Sequence, residues 1–259
     1  MIRYMLLGLV QGLTEFLPVS SSGHLVLTER LLGVDSPGVL LEAMLHWGTL
    51  AAILIVFRKD IVRLLHSLRG KGQIEQRKEV GLLIIGTVPV VAVGLLLQKT
   101  IQSAFSSLLG VGLGLLITAV FLALGHLARR RARRPSIQLP DALAVGLAQA
   151  AAVFPGVSRS GATISVGTMM GMTAAQAARF SFLLAIPALF GAGFLHLLEA
   201  LSTPGSHNWI GIVLGAFCAF VSGWLALRAA LALVTRGRFW IFAVYCAIVG
   251  TATIVWSML

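Results

Sequence analysis

Residues 8–23 read GLVQGLTEFLPVSSSG, and residues 146–161 read GLAQAAAVFPGVSRSG. Set in register without a gap, they agree at eight of sixteen positions: Gly8/Gly146, Leu9/Leu147, Gln11/Gln149, Phe16/Phe154, Val19/Val157, Ser20/Ser158, Ser22/Ser160 and Gly23/Gly161. Chance in so biased a composition gives roughly one or two identities, so the chain carries an internal repeat. Each copy is an apolar helical run, broken by Pro or Gly, that ends in a Ser-rich turn. In an apolar chain, a matched pair of interrupted segments points to a binding site built where half-helices meet. The copies differ where chemistry is concentrated: Glu15, Ser21 and His24 in the first, Arg159 and Thr163 in the second.

Working outward, the 259-residue chain is 58% hydrophobic and 11% charged, which places it among polytopic membrane proteins. No cleavable signal peptide is expected: the first apolar stretch follows Arg3 but runs into polar sequence without a small-residue cleavage site. Cys218 and Cys246 both lie in apolar runs and read as small packing residues. The net charge of +11 invites a nucleic-acid reading, and its distribution argues against one. Basic residues cluster at 58–78, at 129–134 and around 228–238, between hydrophobic spans and without interleaved aromatics. Positive-inside topology explains that pattern, so no nucleic-acid partner is expected.

Apolar runs long enough to cross roughly 30 Å of hydrocarbon occur near 38–58, 80–98, 106–127, 179–199, 209–228 and 239–258. Residues 1–30 and 139–172 are also apolar but interrupted halfway, as expected of two short helices that enter the membrane and return. Irregular backbone at that depth needs protein or a water-filled cavity to satisfy it. The basic connections at 58–78 and 128–138 flank one helical hairpin and therefore lie on one side, the cytoplasm. The 98–106 turn and the 200–208 turn then fall outside, and the 228–238 turn inside. Sixteen of the twenty Lys and Arg land on the cytoplasmic side in this layout. Each half, about 1–128 and about 139–259, holds one re-entrant pair plus three crossings. An odd number of crossings makes the repeats inverted, with tips that meet near the midplane. The expected architecture is thus all-α, a single transmembrane domain over 1–259. Small residues such as Gly110, Gly112, Gly114, Gly191 and Gly193 permit close helix packing, within one subunit or in a homodimer.

The polar residues at the two tips each have a bland reading and a chemical one. Glu15, a carboxylate in an apolar helix, either lines the membrane–water boundary or serves as general base or metal ligand. Ser20, Ser21 and Ser22 supply helix caps or reacting hydroxyls. His24 is structural, or it relays protons or takes a phosphoryl group. Arg159 cannot discard its proton and needs an anion. Glu15 satisfies that need as a structural ion pair. Alternatively, Arg159 joins the Ser158, Ser160 and Thr163 hydroxyls and a helix N-terminus in a phosphate cradle. Glu42 and His46, four residues apart, either pair with each other or reach the same cavity; two His at that spacing, as a zinc protease needs, are absent. A carboxylate, a histidine, hydroxyls and an arginine around one cavity suit phosphoryl transfer, with a divalent ion supplying the remaining positive charge.

At these residues the sequence resembles a known family. QGLTEFLPVSSSGHL (11–25) and PGVSRSGAT (155–163) are similar to the two signature motifs of the undecaprenyl-pyrophosphate phosphatases, the bacitracin-resistance proteins. The resemblance spans the whole chain. It implies hydrolysis of the C55 isoprenyl pyrophosphate to the monophosphate in the bacterial inner membrane, recycling the lipid carrier of cell-wall synthesis. It also implies dependence on Mg²⁺ or Ca²⁺ and a site open to the periplasm. By position, Glu15 matches the second acid of the first motif, Ser21 and His24 its nucleophile and histidine, and Ser158, Arg159 and Thr163 the phosphate-binding residues. Gln11 stands where some members have a glutamate; it removes a charge but keeps a carbonyl, leaving Glu15 to do more alone in metal binding. The alternative function is a flippase for the polyprenyl phosphate, since inverted repeats with broken helices are also a transporter architecture. A carrier, however, has less use for Glu15, Ser21 and His24 together.

Overall fold

The computed structural model describes residues 1–33, 39–71, 74–202 and 208–259. Most of the 200–208 turn, and two residues of the 58–78 connection, lie outside the described residues. Six helices are long and apolar enough to cross a membrane: α3 (Val39–Val56), α5 (Ile74–Leu96), α7 (Leu108–Ala128), α10 (Ala174–Ser202), α11 (Trp209–Thr235) and α12 (Phe239–Trp256). These are the six runs expected from hydropathy. The chain is a multi-pass, all-helical membrane protein. Among the described residues no strand forms, only an isolated bridge between Arg134 and Met172.

The two interrupted segments fold as two short helix pairs. In the first, α1 (Ile2–Phe16) gives way to an extended Leu17 before Pro18, whose ring disfavours helical backbone at the preceding residue. After the break, α2 (Ser21–Leu32) starts at the Ser20 cap and stops at Gly33, whose left-handed φ of 58° closes the helix end. The second pair is α8 (Leu139–Ala151) and α9 (Arg159–Met169), separated by Pro155 and Gly156. Residue 156 must be glycine twice over: its φ is +87°, and a Cβ there would lie 2.2 Å from the Val111 carbonyl oxygen.

Two elements were not anticipated. α4 (Arg58–His66) and α6 (Gln98–Phe105) are short amphipathic helices that leave the spans α3 and α5 at their ends. Sequence windows tuned to crossing length pass over such pieces, which settle at a polar–apolar boundary instead of crossing it.

Cross-helix contacts show which connections share an end of the molecule. Arg179 of α10 donates to Asp60 of α4 at 2.9 Å and pairs with Glu79 of α5. Arg129 donates to the Gly237 carbonyl at 3.1 Å. Arg134 makes a two-pronged bond to Asp141 at 2.6 and 2.8 Å and reaches the Met170 carbonyl at 3.0 Å. The bond it donates to Asp141 raises the Arg134 guanidinium above its ordinary pKa. The Arg129 bond joins two of the basic connections directly, and the others hold the helix ends beside them. Elsewhere, Arg30 of α2 donates to Ser106 beside α7, and Asn208 before α11 meets Met1 before α1.

With lipid outside, apolar transfer from water does not drive helix association, and close backbone approach takes its place. α1 packs on α11 and α8 packs on α5. A Cβ on Gly8 would sit 2.1 Å from the Gly215 oxygen, and one on Gly146 would sit 2.7 Å from the Gly86 oxygen. α7 and α12 meet at Gly112 and Gly250, so that small residue is used inside the subunit. Under the tips lies an aromatic floor, with Phe16 edge-on to Phe182 at 6.1 Å. The opposite faces of the spans are greasy and exposed: Leu109, Leu113, Ile117, Val120 and Leu124 make such a stripe along α7. Both cysteines are free.

Candidate active site

Glu15 stands on the last turn of α1, 8% exposed, and three donors from both repeat segments converge on its carboxylate. Gln11, one turn earlier, donates Nε2 to Oε2 at 3.0 Å. Ser21, the first residue of α2, donates its hydroxyl to the same oxygen at 2.5 Å. Arg159, the first residue of α9, donates Nη2 to Oε1 at 2.6 Å. The two tips therefore touch, and the acid, the candidate nucleophile and the guanidinium form one connected group. The contact extends through the backbone: the Ser160 hydroxyl donates to the Leu17 carbonyl at 3.3 Å. A Cβ on Gly23 would meet the Gly156 Cα at 3.1 Å.

Each tip is stiffened by the same local chemistry. Ser20 Oγ accepts from the Gly23 N–H at 3.3 Å and Ser158 Oγ from the Gly161 N–H at 3.1 Å, so both are helix caps. Ser20 and Ser22 hydroxyls lie 3.3 Å apart, as do those of Ser158 and Ser160. Thr118, the single hydroxyl in α7, holds the second tip: it accepts from the Ser158 N–H at 2.8 Å and donates to the Gly156 carbonyl at 2.9 Å. Since Ser21 and Arg159 begin their helices, the positive ends of two helix dipoles flank the Glu15 carboxylate. An arginine and two helix N-termini around one buried spot make an anion site, which Glu15 now fills and a phosphate can share.

Two polar atoms here are buried with no partner: Nη1 of Arg159 and Oε1 of Gln11. A buried guanidinium N–H left bare is unfavourable unless a ligand accepts from it. Oε1 of Gln11 is an uncommitted carbonyl beside a carboxylate, which is suitable hard-oxygen ligation for a divalent ion. Among the described residues no three His, Cys, Asp or Glu lie close enough to hold an ion unaided. Glu15 and Gln11 still fit Mg²⁺ or Ca²⁺ in the mode where substrate phosphates complete the shell.

The remaining expected residues are placed differently. Thr163 turns into the protein, donating to the Arg159 carbonyl at 2.7 Å and sharing a 2.6 Å hydrogen bond with Ser181 of α10. It braces the α9 turn that carries Arg159 and makes no contact with Glu15 or Ser21. His24 lies one turn beyond Ser21, with Nδ1 2.8 Å from the Ser20 carbonyl and Nε2 2.7 Å from the Tyr245 hydroxyl of α12. Glu42 and His46 do not pair through their side chains: His46 Nδ1 bonds the Glu42 carbonyl, while the Glu42 carboxylate lies 3.9 Å from His196. Sequence reading passed over Thr118, Ser181 and Tyr245. Their one local signal is a polar group within a long apolar span, and their partners lie far away in the chain.

Comparison with known proteins decides the family. A family model described as bacitracin resistance protein BacA matches residues 4–252. The chain belongs to the BacA family. Relatives run the full length. An undecaprenyl-diphosphatase of Halothermothrix orenii is 39% identical over 98% of this chain and 96% of its own. Those of Korarchaeum cryptofilum and Syntrophotalea carbinolica are each 44% identical, over 96% and 95% of this chain and 96% and 94% of their own.

Proposed function

We infer that this protein hydrolyses undecaprenyl pyrophosphate, or a close isoprenyl analogue, to the monophosphate and inorganic phosphate. The observation that carries the reading is Glu15 bonded at once to the Ser21 hydroxyl and the Arg159 guanidinium. Full-length kinship with undecaprenyl-diphosphatases supplies the substrate class. The isoprenyl tail stays in lipid while the pyrophosphate enters the anion site between the tips. Ser21 Oγ attacks the terminal phosphorus and its proton passes to Glu15, already 2.5 Å away. The bond from that phosphorus to the bridging oxygen breaks, and isoprenyl monophosphate leaves with the electron pair. Nη1 of Arg159 and the α2 and α9 N-termini stabilise the charge on the transferred group. Glu15 and Oε1 of Gln11 would hold a divalent ion there, which when bound neutralises phosphate charge.

The same reading takes the molecule as two inverted repeats whose re-entrant pairs meet at their tips. The contacts support it in three ways. α1 packs on α11 as α8 packs on α5, which is what exchanging the halves requires. Gly112 and Gly250 are separated by 138 residues, the same offset as Gly8 and Gly146, and they touch each other, as residues on a twofold axis do. Finally, Met1 lies by Asn208, whereas the start of α8 lies among the basic connections, so the two copies begin at opposite ends. By the positive-inside rule the end rich in arginine is cytoplasmic, in a bacterial plasma membrane, and the first pair enters from the periplasm.

The test is phosphate release from a long-chain isoprenyl pyrophosphate by detergent-purified protein. Release that is lost with chelator and restored by Mg²⁺ or Ca²⁺ is expected. No release with any divalent ion overturns the reading, and transport of an uncleavable analogue across liposomes in that case favours the carrier.

A further inference from the structure

His24 is the one reactive side chain of the first tip that touches neither Glu15 nor Ser21, and its surroundings fix its chemical state. Its Nδ1 lies 2.8 Å from the Ser20 carbonyl oxygen. A carbonyl only accepts, so Nδ1 carries the hydrogen. In the neutral ring the lone pair then sits on Nε2. The Tyr245 hydroxyl, 2.7 Å from Nε2, is accordingly the donor. The two rings also stack, with centroids 5.6 Å apart and planes 11° from parallel. Two independent contacts, one polar and one facial, thus bind a residue of α12 to the histidine of the active-site turn. The register of α12 is held there by its next residue, since Cys246 is buried and its thiol reaches the Pro18 carbonyl. Tyr245 itself is 42% exposed, and Ile241, Val244 and Ile248 around it face outward. It stands between His24 and that outward, apolar face of α12.

We propose that Tyr245 is the positioning residue of His24: it locks the imidazole with Nε2 basic and capped, and surrenders that cap to an incoming pyrophosphate oxygen. The proposal rests on the phosphatase reading above. When the headgroup arrives from the lipid side, the phenol turns its O–H from Nε2 to a phosphate oxygen, which is a better acceptor. Nε2 is then free for the second half of the reaction. A water oxygen bonds the phosphorus of phospho-Ser21 and gives one proton to Nε2. The phosphorus–Oγ bond breaks, and Oγ recovers from Glu15 the proton lodged there in the first half. Inorganic phosphate leaves and His24 sheds its proton to solvent. Such a division of labour explains why the histidine is turned away from the Ser21–Glu15 bond in the resting protein.

The hydrogen bond from tyrosine stabilises neutral imidazole, so its loss makes His24 more basic. The titratable group that meets His24 is Tyr245 from α12; the stretch of α7 packed on α2 is apolar. The experiment follows kcat and KM for phosphate release from an isoprenyl pyrophosphate between pH 5 and 9. In Tyr245→Phe, which keeps the stack and loses the hydroxyl, kcat is expected to fall about tenfold, and KM to rise a few-fold as the bond to the phosphate oxygen goes with it. The acid limb of the kcat profile moves to higher pH, because a base must be neutral to act. Replacing Tyr245 with 3-fluorotyrosine, a stronger donor of the same shape, moves the limb to lower pH and guards against misfolding of the phenylalanine variant. The proposal is overturned if both variants match the wild-type kcat and pH profile while Ser21→Ala is inactive. Absence of release by the wild type itself defeats the phosphatase reading instead.

Discussion

The two tips are built alike and equipped differently. Each has a serine cap accepting from a glycine N–H, a second hydroxyl 3.3 Å from the first, and a helix starting at the turn. At the position after the cap, the first tip has Ser21 and the second has Arg159. Where the first has Glu15, the second has Val153. Duplicated backbone thus provides two helix N-termini pointed at one place, which suffices to attract an anion. On the proposed mechanism, unequal side chains convert that attraction into a reaction, with a hydroxyl and its base on one side and a fixed cation on the other.

The sharpest way to break this comparison is to remove the cation. Arg159→Ala should lower phosphate release by about 10³-fold or more, since a donor aimed at developing charge is lost. It also leaves Glu15 buried without its partner, at a cost of about 3–5 kcal/mol. Thermal unfolding in detergent, beside single-turnover release, separates the two effects. A variant keeping more than a tenth of the activity would reduce the second tip to scaffolding. Ser21→Ala should lower kcat on the order of 10²–10⁴-fold with normal expression, because a small exposed-side hydroxyl is removed while the cap at Ser20 stays. Retention of a trapped phosphoryl group on His24 in that variant would move the nucleophile.

Smaller effects probe the frame. Gly8→Ala and Gly146→Ala press a methyl into the opposing backbone and should each destabilise by roughly 1–3 kcal/mol. Similar losses at the two sites support the twofold relation, whereas a loss at Gly8 alone breaks it. Thr163→Val removes the bond to Ser181 and should lower stability by about 1 kcal/mol with KM within about twofold. A large rise in KM would return Thr163 to direct phosphate contact.

The spans were legible because crossing hydrocarbon demands a property that any window of sequence displays. Their ends were less so. α5 starts at Ile74, amid charges, and α11 runs on to Thr235, since backbone hydrogen bonds continue where hydropathy has already fallen. The Glu15–Arg159 meeting was also readable, because a guanidinium fixed in an apolar segment must find an acid and the repeat says where. The orientation of His24 was not. Its partner is 221 residues away on α12, and nothing near His24 distinguishes a tyrosine-capped imidazole from one facing Ser21. Thr163 matched a phosphate-binding position by motif, yet a hydroxyl on α9 turns toward whichever neighbour packs there, and that is Ser181. Glu42 and His46 share a face as their spacing implies, but the histidine Nδ1 takes the Glu42 carbonyl instead of its carboxylate, a choice that spacing alone does not reveal.

Ser20 is the one non-glycine residue with a left-handed backbone among the described residues, at φ 70°. The twisted residue offers its carbonyl to His24, and the twist holds the chain about 1–3 kcal/mol above a relaxed turn. Its counterpart Ser158 has an ordinary φ of −75°, so the tension is confined to the first tip. For anyone engineering a hardier version, position 20 is a trap. Glycine there would ease the turn and lift the melting point, and the histidine would lose the fixed bearing that the proposed mechanism asks of it. Heat tolerance and turnover should therefore part company at this residue.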